Sequence, residues 1–111
     1  MIYHLAISSE WDDQAERAHY APVRFEDEGF IHCSEKHQLE GVANRVFSGR
    51  DDLLLLKLDP TRLESDTTYE SGGSMKFPHI YGKIDKASVI DIVPIRCNSH
   101  GTFGGVFDGL E

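Results

Sequence analysis

Hydrophobic positions change period several times along the chain, and each change marks a predicted element. Residues 2–8, IYHLAIS, alternate in a way that suits a strand, with Ile2, His4 and Ala6 on one face and Tyr3, Leu5 and Ile7 on the other. Ser9 followed by Asp12 reads as an N-cap and first turn, and Trp11, Ala15 and Ala18 at helical spacing predict a helix over about 10–19. After Pro22, RFEDEG is an acidic turn closed by Gly29, and FIHC reads as a short buried strand. Leu39, Val42, Ala43, Val46 and Phe47 form the apolar stripe of a helix over 35–48, with Ser34 placed to cap its start and Gly49 its end.

The second half of the chain is dominated by strand patterns. DLLLLKLD at 52–59 is nearly unbroken in apolar residues, as expected of a central strand covered on both faces, and Pro60 helps to end it. TTYE at 67–70 is a further strand, SGGS at 71–74 a flexible loop leading into FPHIYG, and SVIDIVPI at 88–95 a final alternating strand. Glycines at 101, 104, 105 and 109 predict an irregular, partly mobile tail over 98–111. Two helices in the N-terminal half, with strands elsewhere, give an α+β fold class with a mixed or antiparallel sheet, in one domain over 1–97.

Composition narrows the function. A chain of 111 residues suits one hydrophobic core. Nineteen acidic against eleven basic residues, a formal charge of -8, repel phosphate backbones and anionic lipid, which argues against duplex nucleic acid and membrane as partners. A small-molecule ligand remains open, because imidazoles and backbone N–H groups can oppose the global field locally. Cys33 and Cys97 do not make a disulfide framework and read as reduced thiols. The start lacks a basic segment followed by an apolar run, and Leu53 to Leu56 falls far short of the ~20 residues that span a bilayer, so a cytoplasmic location is expected.

The chemical signal is a recurrence. IYHLA, GFIHCS and FPHIYG each place a histidine on a strand or turn, and His4, His32 and His79 are expected to converge on one pocket. Taken singly, each is also compatible with a hydrogen-bonded core histidine. Ser34 can cap the following helix, orient a ligand hydroxyl beside its free N–H groups, or do both. Three imidazoles could hold zinc with an open fourth position, but no HxH, HExxH or CxxC is present, and no metal is expected. Cys33, in an apolar strand, reads as packing and not as a nucleophile.

IYH at 2–4, Trp11, GFIHCS at 29–34, VANRVFSG, DLLLLKLD, YES at 69–71 and FPHIYG at 77–82 together resemble the bacterial domain-of-unknown-function family number nine hundred and fifty-two. The resemblance implies a fold similar to the ADP-ribosyltransferase catalytic domain. It implies NAD or an ADP-ribose-like nucleotide as ligand, with His4, His32 and Glu70 as the catalytic set and Ser34, His79 and Tyr81 binding the ligand. In that reading His4 fixes ribose hydroxyls, His32 or His79 moves a proton or binds phosphate, Tyr81 stacks on a base, and Glu70 stabilises an oxocarbenium-like state. The alternatives are a non-catalytic binding or sensor domain with the same pocket, and a metal-dependent hydrolase built on the three histidines.

Overall fold

The computed structural model describes residues 1–110. In chain order its elements are β1 (Ile2–Ile7), α1 (Ser8–Asp12), β2 (His19–Tyr20), α2 (Phe25–Glu28), β3 (Ile31–His32), α3 (Leu39–Val46), β4 (Leu53–Leu58), β5 (Thr67–Gly72), β6 (Met75–Ile80), β7 (Ile84–Asp85) and β8 (Val89–Ile95). Short 3-10 turns occupy Lys36–Gln38, Pro60–Arg62 and Lys86–Ser88. The class is α+β, and the pairings among these strands are antiparallel.

The apolar run at 53–58 becomes the middle strand of a sheet ordered β1-β4-β8. Its alternate side chains enter two different cores, which is why the sequence carries leucine on both faces. Leu56 and Leu58 pack with Ile2, Ala6, Tyr20, Ile31, Ile80 and Ile84. Leu53 and Leu55 pack with Tyr3, Leu5, Leu39, Ala43, Phe103 and Phe107 on the other side. The alternation read in IYHLAI therefore matches the two faces of β1. A second sheet, ordered β3-β6-β5, joins the first through the paired backbones of Tyr3 and Ser34, whose N–H groups donate to each other's carbonyls at 2.9 and 2.8 Å. A two-stranded ribbon of β2 and β7 completes the fold.

Several elements depart from the sequence expectation. The helix expected over 10–19 is confined to Ser8–Asp12, begins one residue before Ser9, and has no side-chain cap. Gln14 explains the early stop: its side-chain N–H donates to the carbonyls of Glu10 and Ala21 and its Oε1 accepts from the Ala21 amide, which folds the chain back so that His19–Tyr20 becomes a strand. The helix expected over 35–48 is a 3-10 turn followed by α3. Ser34 does not cap it. Glu35 does, in a reciprocal box with Gln38, because the turn begins at Lys36 and leaves Ser34 one residue outside it, where its backbone pairs with Tyr3.

Gly49 is not the C-cap either, since α3 ends at Val46 with Phe47 as its C-cap; Gly49, at φ 82°, serves a turn and its N–H donates to the Gly101 carbonyl at 2.8 Å. Ser71 and Gly72, expected in a loop, extend β5, and Gly73-Ser74 alone form the two-residue hairpin turn to Met75. The last described segment is irregular, as its glycines imply. It is nonetheless packed, because Phe103 and Phe107 are buried against α3 and β1. Cys33 and Cys97 are free thiols that sit in different cores. Among the described residues no helix is long and apolar enough to cross a membrane.

Candidate functional site

At the seam between the two sheets lies a cleft of about 560 Å³ that wraps the edge of β1. His4 from β1, His32 from β3 and His79 from β6 all line it, as does Ser34. His32 and His79 are direct cross-strand partners, and their rings meet edge to face at 5.2 Å between centroids. Phe30 stacks on His79 at 4.3 Å and touches His32 at 4.8 Å, so one wall of the cleft is aromatic. Leu5, Ile7, Val42, Val46, Phe47 and Phe77 make the other wall apolar.

The three imidazoles are in different states. His4 is buried, its Nδ1–H donates to the His32 carbonyl at 2.7 Å, and burial holds its pKa down to about 4. It is neutral at pH 7. A carbonyl can only accept, so the proton is on Nδ1 and Nε2 presents a lone pair. That Nε2 is buried with no partner among the described residues, and so is the hydroxyl of Tyr20, whose ring lies 5.8 Å from the His4 ring and which also lines the cleft. Burial pushes the Tyr20 phenol up, so it stays protonated.

His32 is largely exposed at the cleft, and its Nε2 lies 2.9 Å from Glu28 Oε2. The hydrogen bond from His32 holds the Glu28 carboxyl below the usual carboxylate range. His79 is mostly buried and its Nδ1 lies 2.8 Å from Glu70 Oε1, which also accepts from the Tyr81 hydroxyl. Those two bonds, Tyr81 first, depress the Glu70 carboxyl. Glu70 and Tyr81 thus stand behind His79 and are not among the residues lining the cleft. Cys33 lines it, but burial pushes its thiol up, so it stays protonated.

Sequence reasoning missed Tyr20, Glu28, Arg24 and Arg45, all of which line the cleft. Glu28 carried a readable signal, standing four residues before His32. Tyr20 carried none, because the expected helix over 10–19 hid the strand that delivers it. Among the described residues the His, Asp and Glu group with metal-ligand spacing is His19, Glu64 and Asp85; it lies in a separate hollow and includes none of the cleft histidines.

Comparison with known proteins agrees with the fold. The model of a family described as "Protein of unknown function (DUF952)" matches residues 5–92. The crystal structure of a double mutant of protein CC0527 from Caulobacter crescentus is similar at a TM-score of 0.84 and 25% identity, with 96% of each chain covered. The crystal structure of CC0527 itself gives 0.81 at 28% identity over 96% of each chain, and its solution NMR structure 0.81 at 26% identity, covering 99% of this chain and 97% of that one. No curated protein matches the chain.

Proposed function

We propose that this chain, which belongs to the family of unknown function DUF952, binds NAD or an ADP-ribose-like nucleotide by a sugar hydroxyl seated between His4 and Tyr20. The observation that carries this reading is the pair of buried, unpartnered polar atoms on one cleft, His4 Nε2 and the Tyr20 hydroxyl. Each such orphan costs about 1–3 kcal/mol. A ligand hydroxyl answers both, since it donates to the Nε2 lone pair and accepts from the Tyr20 O–H. An anion would meet the same lone pair unfavourably, so the phosphates belong nearer Arg24 and Arg45, and a base nearer the aromatic wall of Phe30 and His79. Ser34 keeps its place as a ligand contact at the cleft.

Binding is preferred to group transfer because Glu70, the carboxylate that the resemblance assigns to the chemistry, is occupied by His79 and Tyr81 behind the cleft wall. One observation favours the second reading, ADP-ribosyl transfer: Glu28 and His32 form a carboxylate and imidazole dyad on the cleft itself. Titration calorimetry with ADP-ribose tests the first reading. Tyr20→Phe is expected to weaken binding by about tenfold, the worth of one buried hydrogen bond, while leaving stability equal or higher. Wild-type protein that gives no heat with ADP-ribose or NAD would sink the proposal. Release of nicotinamide from NAD, lost in Glu28→Gln, would favour transfer instead.

A further inference from the structure

Away from the cleft, the geometry points to a divalent transition-metal site of the zinc class, formed by His19, Glu64 and Asp85. His19 and Asp85 are cross-strand partners on the ribbon of β2 and β7, and His19 Nε2 stands 2.9 Å from Asp85 Oδ1. The other Asp85 oxygen accepts from the backbone N–H of Glu64 at 2.8 Å. That one bond fixes the orientation of the Asp85 carboxylate and brings the Glu64 side chain to the same place. One donor atom from each of the three residues lies within 4.8 Å of the other two. Donors sharing one zinc ion at about 2.0–2.2 Å stand about 3–4 Å apart, so the His19 and Asp85 pair, in direct contact at 2.9 Å, has to open by only a few tenths of an ångström, and a modest turn of the Glu64 side chain completes the set.

The segment carrying Glu64 is held in position. Tyr81 N–H donates to the Asp66 carbonyl at 3.1 Å, and Gly82 lets the segment approach closely, since a Cβ there would stand 1.9 Å from Ser65 Oγ. The arrangement brings two carboxylates together, one of them buried, and the Glu64 carboxylate has no hydrogen-bonding or ion-pair partner among the described residues. Like charges held this close disfavour the protein without an ion, and a dication relieves them. Lys83 lines the same hollow of about 270 Å³, and its single charge cannot neutralise both carboxylates. One imidazole with two carboxylates suits zinc better than magnesium or calcium, and leaves the remaining coordination positions to water or an exogenous ligand. The assignment is independent of what the cleft binds.

Titration calorimetry of Zn²⁺ into the full chain, stripped beforehand with chelator, tests it, with Mn²⁺ as the parallel probe. One Zn²⁺ per chain is expected, held more tightly than Mn²⁺, with affinity lowered at least about tenfold by Glu64→Gln or His19→Gln. The double variant His32→Gln, His79→Gln should leave binding unchanged, and Lys83→Met should strengthen it. Because Glu64 uses its backbone and not its carboxylate to hold Asp85, Glu64→Gln should keep or slightly raise the metal-free melting temperature, as one of two close like charges is removed, and lose the rise that Zn²⁺ produces. Absence of uptake, tighter Mn²⁺ than Zn²⁺, or equal Zn²⁺ affinity in wild type and Glu64→Gln would each overturn the site.

Discussion

Acidification should expose His4 before any carboxylate contributes. In the folded chain burial holds its pKa at about 4, whereas the unfolded ring titrates at the ordinary value of 6.5. Above pH 6.5 both states are neutral and His4 makes no pH-dependent contribution. Below it the unfolded ring takes up a proton that the buried ring refuses, so stability falls with pH until the native ring titrates near 4. The loss from this residue alone is about 2 kcal/mol at pH 5 and about 3 kcal/mol at pH 4. Urea denaturation of wild type and His4→Gln between pH 7 and pH 4.5 measures it, because Gln can still donate to the His32 carbonyl and does not titrate. The wild-type curve should fall away from the variant curve as pH drops below 6.5. Parallel curves over that range, or a His4 ring signal that titrates near 6.5 in NMR, would refute the reasoning.

Two further variants test the packing around the cleft. Ser34→Ala should change stability by less than about 0.5 kcal/mol, whereas Glu35→Ala should lose about 1–2 kcal/mol with the capping box; equal losses in denaturation would restore the cap to Ser34. Phe103→Ala should cost about 3–5 kcal/mol by the same measure, since its ring is fully buried, and a negligible change would mean that the C-terminal segment is not part of the core.

The sequence was most readable where one local pattern decides the outcome. IYHLAI and LLLLKL alternate or saturate with apolar residues, so their faces could be assigned before any partner strand was known. It was least readable where one side chain overrules a period. Trp11, Ala15 and Ala18 have helical spacing, but Gln14 binds the backbone of Ala21 and the helix stops. That single contact also hid Tyr20, because the expected helix over 10–19 leaves no room for the strand His19–Tyr20 that delivers it to the cleft. The tail shows the same limit: glycine spacing correctly announced irregular backbone, yet Phe103 and Phe107 anchor it through distant partners, including Phe103 N–H donating to Asn44 Oδ1 at 2.7 Å. The three histidines were legible as a group because each lies on or beside a strand. Their different protonation was not, since it depends on which of them the fold buries.

A formal charge of -8 opposes the approach of an anionic nucleotide, and the cleft does not reverse that field, for Arg24 and Arg45 are matched by Glu10 and Glu28 within the same lining. Arg24 is moreover exposed and 3.4 Å from Glu28, so much of its charge is already answered. For the proposed ligand, affinity in the cleft has to come chiefly from groups whose value does not depend on net charge: a buried neutral imidazole, a buried protonated phenol and a half-buried aromatic wall. The second hollow has the opposite character, with the carboxylates of Glu64 and Asp85 outweighing Lys83 in a shallow, polar setting. Under the two proposals the concavities of one acidic fold select different chemistry, a sugar hydroxyl in one and a cation in the other.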